Sequence, residues 1–126
     1  MIDHIGIAVS DYERSKQFYI TALDPIGYKL LMEVQGFAGF GLGNSDGSLA
    51  TFWLHEEKTK ILSGIHIAFT ASHRKLVDAF YNAAITANGL DNGKPGLREI
   101  YHPNYYGAFV LDPDRYNIEV VCHQPA

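Results

Sequence analysis

Asp3-His4-Ile5-Gly6-Ile7-Ala8-Val9-Ser10 and Ile65-His66-Ile67-Ala68-Phe69-Thr70-Ala71-Ser72 are two copies of one pattern. The spacing is 66 − 4 = 62 residues, and the register continues without a gap. Phe18-Tyr19 falls on Phe80-Tyr81, Ala22 on Ala84 and Gly27 on Gly89. A repeat of this length marks two copies of one supersecondary unit.

The composition of the unit can be followed outward from these stretches. Ile2 to Val9 is apolar and β-branched, as a strand requires. Ser10 with Glu13 three residues on fits a capping box, and residues 11–23 follow at helical spacing. Asp24-Pro25 stops that helix. Three short strands are expected at about 27–34, 37–43 and 49–55, separated by Gly36, Gly41, Gly43 and Asn44-Ser45-Asp46-Gly47. In the second copy a strand runs from Ile65 to Ala71, with Ser72 as cap and a helix over 73–88. Asn88-Gly89 ends the helix with residues that tolerate a left-handed backbone. Strands are expected at about 97–102, 106–111 and 116–122, with a turn at Asp112-Pro113-Asp114. The reading is α+β: two βαβββ modules, residues 1–55 and 64–123, in one domain, with residues 56–63 as linker.

The 126 residues are enough to bury roughly two thirds of the unfolded chain's surface. Hydrophobic residues at 47% and charged residues at 19% argue against disorder. A net charge of −4 without a Lys/Arg cluster gives no footing for nucleic acid or an anionic membrane. No apolar run approaches the ~20 residues of a membrane span, and the start does not read as a signal peptide. Cys122 is the sole cysteine, so no intrachain disulfide forms. The expectation is a cytoplasmic protein.

In each copy a histidine sits at the start of the first strand. A lone histidine is more simply a core or surface residue, but His4 and His66 occupy equivalent places. Glu119 lies inside the apolar run Ile118 to Val121, where a carboxylate is costly unless paired or metal-bound. If that face is wet, Glu119 is merely solvated. Two histidines and a carboxylate make a three-ligand site for a borderline divalent ion. The tyrosine-rich segment after Arg98 offers His102 and Tyr105 as acid–base groups, and Tyr106 and Phe109 as substrate contacts. Arg98 itself is suited to a carboxylate or phosphate. The competing view is a Pro/Gly-rich loop with surface-packed tyrosines. Phe18-Tyr19, Phe80-Tyr81 and Cys122 read as packing residues.

These stretches, with Phe109-Val-Leu-Asp-Pro-Asp114 and Asn117-Ile-Glu-Val120, resemble the vicinal-oxygen-chelate superfamily: glyoxalase I, bleomycin-resistance proteins, fosfomycin-resistance transferases and extradiol dioxygenases. The resemblance implies a U-shaped sheet around a metal held by the positions of His4, His66 and Glu119. It also implies a homodimer whose sites draw on both chains, with His4 from one and His66 and Glu119 from the other. Zn²⁺, Ni²⁺, Mn²⁺ and Fe²⁺ all accept such ligands. Two departures stand out. Where glyoxalase I has a glutamate that also moves the substrate proton, this chain has Trp53, which then becomes a pocket wall. Arg115 stands where a glycine usually follows Asp-Pro-Asp. The expected function is a metal-dependent lyase, isomerase, dioxygenase or thiol transferase acting on adjacent oxygens, but not ordinary glyoxalase I. The alternative is a metal-free binding protein of the bleomycin-sequestering sort.

Overall fold

The computed structural model describes residues 1–58 and 64–126. Two four-stranded sheets carry one long helix each. In the first, β1 (Ile5–Val9), β2 (Tyr28–Val34), β3 (Phe37–Leu42) and β4 (Phe52–Glu56) lie in the order β1-β4-β3-β2. In the second, β5 (His66–Thr70), β6 (Leu90–Leu97), β7 (Tyr106–Leu111) and β8 (Asn117–Cys122) repeat that order as β5-β8-β7-β6. The β1–β4 and β5–β8 pairs are parallel and the others antiparallel. Helices α1 (Tyr12–Ala22) and α2 (Arg74–Thr86) make the crossovers, because parallel neighbours cannot be joined by a hairpin. This is the expected two-module α+β architecture. Most of the proposed linker, residues 59–63, lies outside the described residues. Among the described residues no helix is long and apolar enough to cross a membrane.

Alternation decides what faces the helices. Ile7 and Val9, Phe52 and Leu54, Val110, and Ile118, Val120 and Cys122 join Phe18, Tyr19, Val77, Phe80 and Ala84 in one core. Complete burial of a side chain such as Phe80 is worth about 1.5–3 kcal/mol. The other face of each sheet is left for the site.

Three sequence-based expectations need correction. Asp11, not Ser10, caps α1 by accepting from the Arg14 amide. Ser10 instead binds Asp114 through both its amide and its hydroxyl. His73, not Ser72, occupies the cap position of α2. The sixth strand runs over Leu90–Leu97 rather than about 97–102. Gly93, Pro95 and Gly96 suggested a turn, but β6 is an edge strand and absorbs them through two register shifts.

The Asp112-Pro113-Asp114 turn does more than reverse the chain. Asp112 accepts from the amides of Asp114 and Tyr116 at 2.8 and 2.9 Å, and from the buried Tyr19 hydroxyl on α1. The Tyr116 hydroxyl donates to the Ala8 carbonyl at 2.6 Å. With the Ser10–Asp114 bonds, these contacts fasten the second module to the first. Arg115 is left-handed at φ 67°, so the turn keeps the backbone that a glycine would suit.

Candidate functional site

His66 opens β5, and Glu119 lies two residues into β8. The parallel register pairs His66 with Asn117 and Ala68 with Glu119. His66 and Glu119 therefore project from neighbouring strands on the side away from the helices. His66 Nε2 lies 3.2 Å from Glu119 Oε1, and His66 Nδ1 lies 3.0 Å from the Asn117 carbonyl oxygen. A carbonyl can only accept, so Nδ1 carries a hydrogen. In the neutral ring Nε2 is then a bare lone pair turned toward a carboxylate oxygen. Two acceptors at this distance repel unless a proton or a cation lies between them. Fixing the far nitrogen of a histidine with a carbonyl is also how metal-ligating histidines are oriented.

Glu119 is buried, and its second oxygen accepts from the Tyr105 hydroxyl. Burial, then that hydrogen bond, pushes the Tyr105 phenol up to about 12, so it remains protonated at neutral pH. Gly107 leaves room for the carboxylate: a Cβ there would sit 3.1 Å from Oε2. Tyr101 packs edge-on against Tyr105, and His66 stacks on Phe109 with ring centres 6.2 Å apart. These residues and Asn117 enclose a cavity of about 430 Å³. The Arg98 guanidinium lies over the Phe109 ring at 5.5 Å.

The single chain thus gathers His66, Glu119, Tyr105 and Phe109, with Arg98 beside them. It does not bring in the other expected residues. His4 is exposed on the first module, 2.6 Å from Asp3, in a separate hollow of about 290 Å³. Among the described residues no three His, Cys, Asp or Glu side chains are placed to hold one ion within one chain. Trp53 lies on the first sheet, pressed against Gly39: a Cβ there would fall within 2.9 Å of three ring atoms. Its Nε1 donates to the Ala50 carbonyl at 3.2 Å. His102 is exposed, its Nδ1 accepts from the Asn104 amide, and its ring meets His123 rather than the cavity. Tyr106 points to the helix side, where its hydroxyl donates to Asp78 at 2.7 Å beneath Arg74. Alternation explains the last result: Tyr105, Gly107 and Phe109 share one parity, while Tyr106, Ala108 and Val110 share the other. The Asn117 carbonyl and the ring of His123 against Tyr105 had no signal in the sequence.

A sequence model of the Glyoxalase/Bleomycin resistance protein/Dioxygenase superfamily matches residues 1–120. The chain belongs to this superfamily. Among solved structures, a glyoxalase/bleomycin resistance protein from Albidiferax ferrireducens T118 superposes with TM-score 0.80 at 24% identity, over 98% of both chains. A superfamily enzyme from Burkholderia phytofirmans PsJN gives 0.73 at 17% identity, again over 98% of both. A glyoxalase I variant from Zea mays gives 0.71 at 23% identity, covering 95% of this chain but 46% of that one. No curated protein matches in sequence. At these identities the structural likenesses establish the fold of the superfamily, and they leave the reaction to be argued from the site.

Proposed function

We propose that this chain is a metal-dependent superfamily enzyme acting on a small substrate with adjacent oxygens. The observation that carries the reading is the His66–Glu119 pair, with Nε2 3.2 Å from Oε1 and Nδ1 3.0 Å from the Asn117 carbonyl oxygen. The donor set fits a divalent cation such as Zn²⁺, Ni²⁺, Mn²⁺ or Fe²⁺. His66 and Glu119 would hold it in one chain, and His4 would complete the set from the first module of a second chain. An exposed His4 and large exposed apolar side chains, Ile2 and Phe37 among them, support such pairing. The bound ion would supply Lewis-acid polarisation of the two substrate oxygens.

The chain's own residues do the rest. Tyr105 holds the Glu119 carboxylate in place and presents a protonated hydroxyl at the cavity wall. Phe109 and Tyr101 give flat apolar walls. Among the described residues that line the cavity in one chain, Glu119 is the sole carboxylate, and Trp53 cannot act as a base. The glutamate proton shuttle of ordinary glyoxalase I is therefore not part of this reading.

Calorimetric titration of metal-stripped protein with MnCl₂ tests the proposal, alongside His4→Ala, His66→Ala and Glu119→Gln, with sedimentation to fix the mass. Stoichiometric binding by a dimer, weakened at least tenfold by each substitution, is the expected outcome. A stable monomer, or binding indifferent to all three changes, rules the proposal out.

A further inference from the structure

Arg98 is the one charged side chain set against the aromatic wall of the cavity that the metal reading leaves without a task. It is half-buried, and its guanidinium is fixed from two sides: Nη2 donates to the Lys94 carbonyl at 2.7 Å, and the plane rests over Phe109. The backbone of β6 is shaped around it. A Cβ at Gly93 would lie 3.3 Å from Nη2, and one at Gly96 would lie 3.1 Å from Nη1. Both glycines sit at register shifts of the edge strand, and Gly93 has φ +155°. The bulges and the missing side chains open the space that the guanidinium fills.

Arg98 nevertheless pairs with no carboxylate among the described residues, in a chain whose net charge is −4. One of its five N–H donors is used by Lys94. The others remain in a planar fork, already oriented by Lys94 and Phe109. Such a fork matches two oxygens of a carboxylate or phosphate better than any neutral group. His66 also stacks on Phe109, at 24°, and turns its Nε2 to Glu119. The same ring therefore touches a cation suited to an oxyanion and the pair that would face the metal.

We propose that Arg98 is an anion anchor beside this cavity, and that the ligand is a small oxyanion, carboxylate or phosphate in class, seated on the guanidinium at the edge of Phe109. The placement of the ligand's reacting oxygens rests on the metal reading above, whereas the anion site does not. It is read separately, on metal-free ¹⁵N-labelled protein, by titrating sodium benzoate, sodium phosphate and benzamide and following the Arg98 Nε–Hε resonance. Saturable shifts with benzoate indicate a planar carboxylate, and with phosphate a tetrahedral oxyanion; benzamide should shift nothing. Arg98→Gln, followed on the backbone amides of β6 because the guanidinium resonance is then gone, should weaken the saturating anion at least tenfold in a protein whose ¹H–¹⁵N spectrum stays that of a folded chain. Linear, unsaturated shifts with both anions overturn the proposal, as does saturation that survives Arg98→Gln. Failure of Mn²⁺ to bind, with benzoate or phosphate still saturating at Arg98, would reject the metal reading and leave the anion anchor standing.

Discussion

If Glu119 is kept for a ligand rather than for the fold, its replacement by leucine should make the metal-free protein more stable. The carboxylate is 1% exposed, and its supports are one Tyr105 hydroxyl and a histidine nitrogen whose other nitrogen must donate elsewhere. Losing the hydrogen bond to a charged group costs about 1.5–3 kcal/mol. Against this, desolvating an ion costs several kcal/mol, and a buried leucine contributes about 1.5–3 kcal/mol. His66 is half-exposed and is not left as a stranded charge. The Tyr105 hydroxyl left unpaired costs about a further 1–3 kcal/mol. The balance still favours Glu119→Leu by roughly 1–3 kcal/mol, and each kcal/mol moves the midpoint by about 4 °C in a domain of this size. Parent protein in MnCl₂ at about a hundred times its Kd should gain about 2.7 kcal/mol, and the variant nothing. Scanning calorimetry of both proteins, in EDTA and in MnCl₂, reads all four midpoints. A variant melting below its parent in EDTA would refute the reasoning, for it would show the carboxylate to be a satisfied structural group.

Two further outcomes follow from the turn that fastens the modules. Tyr19→Phe removes a fully buried donor to Asp112 and should cost about 1–3 kcal/mol in urea unfolding. Burial holds the Asp112 carboxyl above its ordinary value, and the Tyr19 hydroxyl works against that rise. The native state therefore binds this proton more readily than the unfolded chain, and stability falls as pH rises from the ordinary carboxylate value through the raised one. In Tyr19→Phe that fall should extend to higher pH, which unfolding curves between pH 4 and 7 would show. Arg115→Gly relieves a left-handed non-glycine residue at φ 67° and should raise stability by up to about 1 kcal/mol, read as a higher melting midpoint.

What the sequence revealed was whatever depends on period. The 62-residue repeat, the crossover helices and seven of the eight strands rest on apolar alternation and helical spacing, which local chemistry enforces. The sixth strand was hidden because Gly93, Pro95 and Gly96 carry turn chemistry that an edge strand accommodates as bulges. Within the site, parity placed Glu119 away from the helices and would also have separated Tyr105 from Tyr106. The loop from Arg98 to Asn104 has no period, so nothing in it showed that His102 turns outward to His123. His4 illustrates a different limit. Equivalence in the repeat says that two histidines occupy matching places, and not that one chain brings them together.

The repeat also shows how the two copies differ at the site. Gly6 pairs with Trp53 in the first sheet and Ala68 with Glu119 in the second, and Gly6 and Ala68 are one repeat apart. Trp53 is therefore the first-module counterpart of Glu119. The antiparallel neighbours differ in the same sense, with Gly39 opposite Trp53 and Phe109 opposite Glu119. In each sheet this pair of positions holds one aromatic residue, on β4 in the first copy and on β7 in the second. The ring stands on a different strand in each copy, which leaves the β8 position to a carboxylate. Trp53→Glu alone should then fail to copy the second site, because it strips the ring from above Gly39 and leaves an acid without a wall. The double change Gly39→Phe with Trp53→Glu restores the ring on the opposite strand. It should recover most of the thermal stability lost by the single variant and bind Mn²⁺ more tightly than the parent, by calorimetric titration. If the double variant is no more stable than Trp53→Glu, a ring on β3 does not replace the ring on β4, and the comparison between the two sheets fails.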